Sequence, residues 1–387
     1  MKDCRRAFLF LLAALWLAPA HAQQNDLIVE KKVFELPSYT TEGGATIKNV
    51  RVGWEAYGQP SADKSNVILV THFYSGTSHA AGKYAPGDKA PGYWDSIIGP
   101  GKAIDTNKYY VISSDTLVNL NANTPNVVTT GPASINPDTG KPYGMTFPVV
   151  SMRDFINVQK ALLESLGIRK LKAVVGASMG ALQAYEWAVA YPDMVERIVP
   201  VIGAAGGNAM LVAWLDVWGQ PIRLDPKWNG GDYYGKESPN QGLAAALKVV
   251  SLHANGWEWA EKTFGSAPVA EGQDPGASLD NQFKIVTALD QSGAGRASGA
   301  DANHFLYLVR ANQLAAADPA KIKTPALIIY SPTDLVFPPD WVERTAAVIK
   351  SNGTLVETVQ ITGPNGHLNG VLHIAQAGPR IARFLAN

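Results

Sequence analysis

Val174-Val175-Gly176-Ala177-Ser178-Met179-Gly180 is the stretch that decides the fold. Residues 171–175 form a short apolar run with the β-branched content of a buried strand. A helical pattern follows over residues 179–190 and ends at Tyr191-Pro192. Between them lies a G-x-S-x-G turn. A strand that reverses into a helix over so few residues leaves no space for side chains at the flanking positions, so glycine takes both. Ser178 is then held exposed at the sheet edge. The backbone N–H of Met179 faces the reacting oxygen, and the helix start adds positive potential there. A capping serine in a tight turn has the same local pattern, and G-x-S-x-G recurs by chance in Gly-rich chains. The strand before and the helix after make this one a nucleophile elbow.

Working outward, strand patterns cover residues 66–71, 109–113, 195–202, 326–330 and 355–361, and helical patterns cover 152–166, 339–350 and a last stretch ending at Phe384. Strand–helix alternation implies a mostly parallel sheet flanked by helices. An antiparallel start is expected over residues 26–57. The alternation stops over about residues 205–319, where helical segments, Trp clusters and Gly-rich loops take over. The expected organisation is a first core part over residues 23–204, a helical lid over 205–319 inserted after the sixth strand, and a second core part over 320–387. Residues 124–148 form a Pro/Gly-rich loop long enough to be functional or a packing arm. The fold class is α/β, specifically the α/β-hydrolase fold.

A serine hydroxyl is a weak nucleophile without a base that a carboxylate orients, and in this fold the chain order is Ser, Asp or Glu, then His. Asp334 lies just past the apolar strand at 326–330, in Tyr330-Ser331-Pro332-Thr333-Asp334. His367 lies in Gly363-Pro364-Asn365-Gly366-His367, after the last strand. Ser178, Asp334 and His367 are therefore the expected catalytic residues. Asp340 at a helix start and His373 in the final helical pattern are the rivals. The second oxyanion donor is expected from Thr71-His72-Phe73-Tyr74-Ser75-Gly76, at the N–H of Tyr74, with Met179 as the first. His72 reads as a structural hydrogen-bonding residue. The other histidines (His79, His253, His304) lack ligand spacing, so neither a metal nor another cofactor is expected.

The first 22 residues have the order of an export signal. A charged stretch at residues 2–6 is followed by an apolar run at 7–17, a break at Pro19 and the small-residue site Ala20-His21-Ala22. The run is shorter than the ~20 residues of a spanning helix. Cleavage after Ala22 is expected, with a periplasmic or secreted product that leaves the membrane. It would remove Cys4, the single cysteine, and so exclude disulfides and a thiolate nucleophile. The chain has 33 Lys and Arg against 33 Asp and Glu. The leader holds three of the former and one of the latter, which leaves 30 against 32. That balance, without a basic block, argues against nucleic acid as a partner and leaves a small-molecule acyl substrate.

Beyond the elbow, the chain resembles the homoserine O-acetyltransferase family of the α/β-hydrolase superfamily over nearly all of its mature length. Residues 94–106, from Trp94-Asp95 through Ile98-Gly99-Pro100-Gly101 to Asp105-Thr106, are similar to the family's W-D-x-x-I-G-P-G-x-A-x-D-T stretch. Thr130-Gly131-Pro132-Ala133-Ser134-Ile135-Asn136-Pro137 resembles its T-G-P-x-S-x-x-P loop. Phe147-Pro148-Val149-Val150, Trp228-Asn229-Gly230-Gly231-Asp232-Tyr233 and Phe305-Leu306-Tyr307-Leu308 with Arg310 fit as well. The resemblance implies the same triad and a homodimer through the lid.

The chain also departs from that pattern. In the family a lid arginine in a Q-R-Q stretch holds the homoserine carboxylate, and an Asp after the catalytic His contacts the amino group. Here Trp218-Gly219-Gln220 and Leu368 stand at those places. Phe73-Tyr74-Ser75 replaces A-L-T. Arg223 is the candidate substitute for the missing cation, and Trp218 and Tyr233 are further candidate substrate contacts. Trp214, Trp228, Trp257 and Trp259 could also line an apolar site, though lid packing explains most of them. The missing charges, with a location that lacks acetyl-CoA, favour an exported serine hydrolase cleaving a small ester, thioester or amide through an acyl-Ser178 intermediate. The alternative is an O-acyltransferase of the homoserine O-acetyltransferase type. A binding protein with a dead site is disfavoured, because every triad position is filled.

Overall fold

The structure, a computed structural model, describes residues 27–387; the expected leader lies outside the described residues. Eight strands form the main sheet: β1 (Lys32–Thr40), β2 (Thr46–Tyr57), β3 (Val67–Thr71), β4 (Tyr110–Ser114), β5 (Ala173–Ala177), β6 (Ile198–Val201), β7 (Ala326–Tyr330) and β8 (Val356–Gln360). Their order is β1-β2-β4-β3-β5-β6-β7-β8. β1 and β4 both pair antiparallel with β2, and every other pairing is parallel. This is the α/β-hydrolase fold expected from the alternation.

Every residue of β3, β5 and β7 is buried, because helices cover both faces of the sheet. That is why these strands read as unbroken apolar runs rather than alternating ones. Helix α1 (Met152–Ser165) starts at a capping box in which Ser151 and Asp154 bond each other's backbone N–H. Helix α2 (Met179–Ala190) is buried on all sides over its first ten residues. It is tied to α1 by hydrogen bonds from Trp187 Nε1 to Gln159 Oε1 (2.9 Å) and from Gln159 Nε2 to Gln183 Oε1 (2.7 Å).

Between β6 and β7 the chain leaves the sheet and builds five helices: α3 (Ala209–Leu224), α4 (Asn240–Ala254), α5 (Trp257–Thr263), α6 (Lys284–Ala297) and α7 (Ala302–Gln313). The 124–148 loop packs against this lid. Tyr307 Oη donates to the carbonyls of Met145 and Phe147, and Ala133 N–H donates to His304 Nε2. Helix α8 (Pro339–Ser351) follows β7. The final helical pattern differs from the expectation of one helix. It breaks into a 3-10 turn (Gly366–Leu368), the short α9 (Asn369–Leu372), a second 3-10 turn (Ile374–Ala377) and α10 (Gly378–Ala386). His367 lies in the first of these turns, between β8 and α9.

Candidate active site

The elbow is built by close backbone approach. A Cβ at Gly176 would sit 2.0 Å from Thr71 Oγ1, and one at Gly180 would sit 2.1 Å from the Thr71 carbonyl oxygen. Only glycine lets α2 start this close to β3. Ser178, between them, has φ 56° and ψ −117°, a conformation L-residues seldom take and one that costs about 1–3 kcal/mol. Hydrogen bonds from Ser178 N–H to the Val201 carbonyl (2.8 Å) and from Thr71 Oγ1 to the Gly180 carbonyl (2.8 Å) hold it there.

Ser178 Oγ lies 2.8 Å from His367 Nε2, and His367 Nδ1 lies 2.8 Å from Asp334 Oδ2. The carboxylate accepts, so Nδ1 carries the proton and Nε2 is left to take the serine's. The other carboxylate oxygen accepts from the N–H groups of Val336 (2.8 Å) and Phe337 (2.9 Å), so Asp334 cannot swing away. The Phe337 ring stacks on the imidazole at 5.9 Å between centroids. All three side chains are buried or nearly so. Asp340 is exposed in the first turn of α8, and His373 caps α9 with Nε2 near Asn365 Oδ1, so neither rival reaches Ser178.

The N–H groups of Met179 and Tyr74 make no hydrogen bond among the described residues, which leaves both donors available to a reaction oxygen. The loop carrying Tyr74 is held from beneath. His72 is buried and donates from Nδ1 to the Phe73 carbonyl, while Nε2 accepts from Thr116 N–H and Asn119 Nδ2. Burial pulls its pKa below the usual histidine value, in keeping with a neutral ring. Asn119 also bonds the Gly76 carbonyl and Asn121 the Ser75 carbonyl. Tyr74 Oη reaches into the lid to the Phe305 carbonyl (2.9 Å), and its ring meets Trp218 and Phe305 edge-on.

Two positioning residues escape the sequence reading. Buried Asn369 bonds Gly363, Asn365 and Ser331, tying the His367 loop to the end of β7. Its signal was only its place two residues past His367. His253 on α4 accepts from Trp218 Nε1 through Nδ1 (3.2 Å), faces the Leu335 carbonyl through Nε2 (3.3 Å) and stacks on Trp214. It joins the lid to the loop beside Asp334, and nothing in the sequence pairs it with either.

Of the candidate substrate contacts, Trp218 stands against the oxyanion loop, but Arg223 and Tyr233 do not reach the triad. Arg223 lies back along α3, 3.0 Å from Asp216. Its Nη1 sits 3.3 Å from where a Cβ of residue 219 would be. Tyr233 Oη donates to Asp301 (2.9 Å) and accepts from Asn303 N–H, holding α7 in place. Both side chains are thus engaged within the lid. Of the other tryptophans, Trp259 lines a lid cavity, Trp228 bonds Asn303, and Trp257 is largely exposed. That cavity, of about 320 Å³, lies between α4 and α6 and is bordered by Ser75 and Leu368, the residues after Tyr74 and His367.

A family model described as alpha/beta hydrolase fold matches residues 124–373. The homoserine O-acetyltransferase of Methanosphaerula palustris is 39% identical over 89% of this chain and 70% of its own. That of Carboxydothermus hydrogenoformans is 35% identical over 92% of this chain and 95% of its own. Among solved structures, esterase E22 superposes with a TM-score of 0.89 at 51% identity, covering 92% of this chain and 100% of that one. The homoserine O-acetyltransferase of Bacillus anthracis gives 0.89 at 36%, covering 93% and 98%.

These relatives correct the expectation of a hydrolase. Transferases of one name match this chain almost from end to end, and they favour acyl transfer over hydrolysis. The esterase name belongs to E22. The triad geometry, the sheet order and the full-length similarity converge: this chain is a member of the homoserine O-acetyltransferase-like family of the α/β-hydrolase superfamily.

Proposed function

We propose that the chain is an O-acyltransferase of the homoserine O-acetyltransferase type, acting through an acyl-Ser178 intermediate. The Ser178 hydroxyl gives its proton to His367 Nε2 as Oγ attacks the donor's carbonyl carbon. The N–H groups of Met179 and Tyr74 hold the oxyanion, and Asp334 stabilises the imidazolium. His367 then protonates the leaving group. The acceptor hydroxyl takes its place, loses its proton to His367 and attacks the acyl carbon, and Ser178 leaves with that proton. The observation that carries the reading is the unbroken relay of 2.8 Å contacts from Asp334 through His367 to Ser178, in a chain whose relatives bear the transferase name over some nine-tenths of its length.

The test is thiol release from acetyl-CoA, and p-nitrophenol release from p-nitrophenyl acetate, with and without L-homoserine, beside Ser178→Ala. An O-acetyl product that needs both Ser178 and the acceptor supports transfer. Equal turnover with and without acceptor, and no ester product, would sink it. We propose also that residues 1–22 direct export, on their charged–apolar–small order. Protein recovered from periplasm or medium should begin at Gln23, and an uncut cytoplasmic product refutes export.

A further inference from the structure

The lid cavity carries a charge that the protein does not balance. Among the described residues, the partly buried arginines Arg153, Arg197, Arg223 and Arg380 each lie within 3.3 Å of a carboxylate. Arg296, on the last turn of α6, is equally withdrawn from water and has none. Its Nη1 donates to Ser251 Oγ (2.8 Å), and that hydroxyl donates onward to the Leu247 carbonyl (2.8 Å). No Asp or Glu lines the cavity. Val250, Ala254, Leu289 and Leu368 make the apolar part of its walls, beside the polar Asn255 and Ser292. Partial burial pulls the Arg296 guanidinium below its ordinary range, in keeping with a cation that has no carboxylate beside it. Such an arrangement costs stability, and an anionic ligand would offset the cost.

We propose that Arg296 binds the carboxylate of the acyl acceptor, which makes the cavity a subsite for short hydroxycarboxylates; this rests on the acyl-transfer reading. The apolar walls suit a carbon chain of a few atoms, and the volume suits a ligand of that size. Ser75 and Leu368, which border the cavity, directly follow Tyr74 and His367 in the chain, so in this proposal a carboxylate at Arg296 leaves the far hydroxyl on the side of the acyl-enzyme. The hydroxyl proton passes to His367, the new C–O bond forms as the bond to Ser178 Oγ breaks, and Oγ regains the proton. The product is the acyl ester of the hydroxy acid. With no Asp or Glu in its lining, the cavity offers no counter-charge to an ammonium, so the amino group of an amino acid should add little to binding there.

Calorimetric titration of full-length Ser178→Ala protein with 4-hydroxybutyrate and with butane-1,4-diol tests this without turnover. The carboxylate should bind, with the diol about 10- to 100-fold weaker, as befits loss of a charge-assisted contact. Arg296→Gln keeps a donor for Ser251 and should erase the difference, and Arg296→Lys should restore part of it. Equal binding of acid and diol to protein that retains Arg296 would overturn the proposal, as would an unchanged preference in a folded Arg296→Gln variant. In turnover, Arg296→Gln should raise the KM for 4-hydroxybutyrate by a similar factor with little change in kcat. If it raises instead the KM of a succinyl half-ester donor, the carboxylate belongs to the acyl group and the acceptor assignment falls. Arg296-dependent binding with no ester product from any acceptor would refute the transfer reading and leave the subsite standing.

Discussion

The two walls of the catalytic cleft are built on opposite terms. On the sheet side the reacting groups and their supports are paired: both oxygens of Asp334, both nitrogens of His367 and His72, and the carbonyls of Phe73, Ser75 and Gly76 in the oxyanion loop. Among the described residues the N–H groups of Met179 and Tyr74 make no hydrogen bond, which leaves them free for a reaction oxygen. On the lid side the wall is mostly apolar, with a guanidinium that meets one hydroxyl. The saturated wall can do one kind of chemistry on any acyl group. The unsaturated wall decides what enters. Chemistry is thus a property of the sheet edge and selectivity a property of the insertion, which is why fold alone does not name a substrate.

That division can be broken by experiment. If it holds, sheet-side variants lower turnover with every acceptor, and lid variants change the ranking of acceptors. The largest effect should come from Ser178→Ala, which removes the attacking atom and should cut kcat by about 10⁴- to 10⁶-fold. A residual rate within tenfold of the unaltered protein would place the nucleophile elsewhere. Asp334→Asn should follow, at about 10³- to 10⁴-fold in kcat, because an amide can hold the ring in the wrong tautomer. Little change there would mean that Val336 and Phe337 are what the carboxylate serves.

A smaller loss is expected at Asn119, which bonds both His72 and the Gly76 carbonyl beneath the oxyanion loop. Asn119→Ala should lower kcat by about 10- to 100-fold, some part of the cost of losing an oxyanion donor, with KM moved less. A shift in KM alone would reassign Asn119 to binding. At the low end is the pH dependence of stability. His72, His253 and His304 all have pKa values pulled down by burial. Their neutral forms favour the fold fully above the unfolded histidine pKa of about 6.5, and that contribution is lost as pH falls through the lowered values. Tm should therefore drop between pH 7 and 5, before most carboxylates titrate, and the drop should shrink in His253→Gln. A flat Tm across that interval would show these rings to be charged in the fold.

Much of the site was legible because its signals are local. Gly176 and Gly180 flank Ser178 for a steric reason that the turn itself imposes, Asp334 follows an unbroken apolar strand, and His367 follows the last strand pattern in the chain order the fold requires. Arg223 and Tyr233 are less legible for the opposite reason. Each is near the right helix in sequence, yet Arg223 is drawn off by Asp216 and Tyr233 by Asp301, pairings between residues whose side-chain directions no spacing predicts. The hydrolase expectation failed in a related way. It took two missing charges as evidence against acyl transfer, and the transferases that match almost the whole chain outweigh them.

By itself, the sequence determined the strand–helix alternation, the elbow and the order of the reacting residues, since these depend on period, glycine and chain direction. Only the tertiary structure decided what surrounds them. It brought His367 against Ser178, set His253 between the lid and the Asp334 loop, and left Arg296 without a carboxylate. Such contacts join residues up to 189 positions apart. Long-range packing, rather than any local preference, brings them together or keeps them apart.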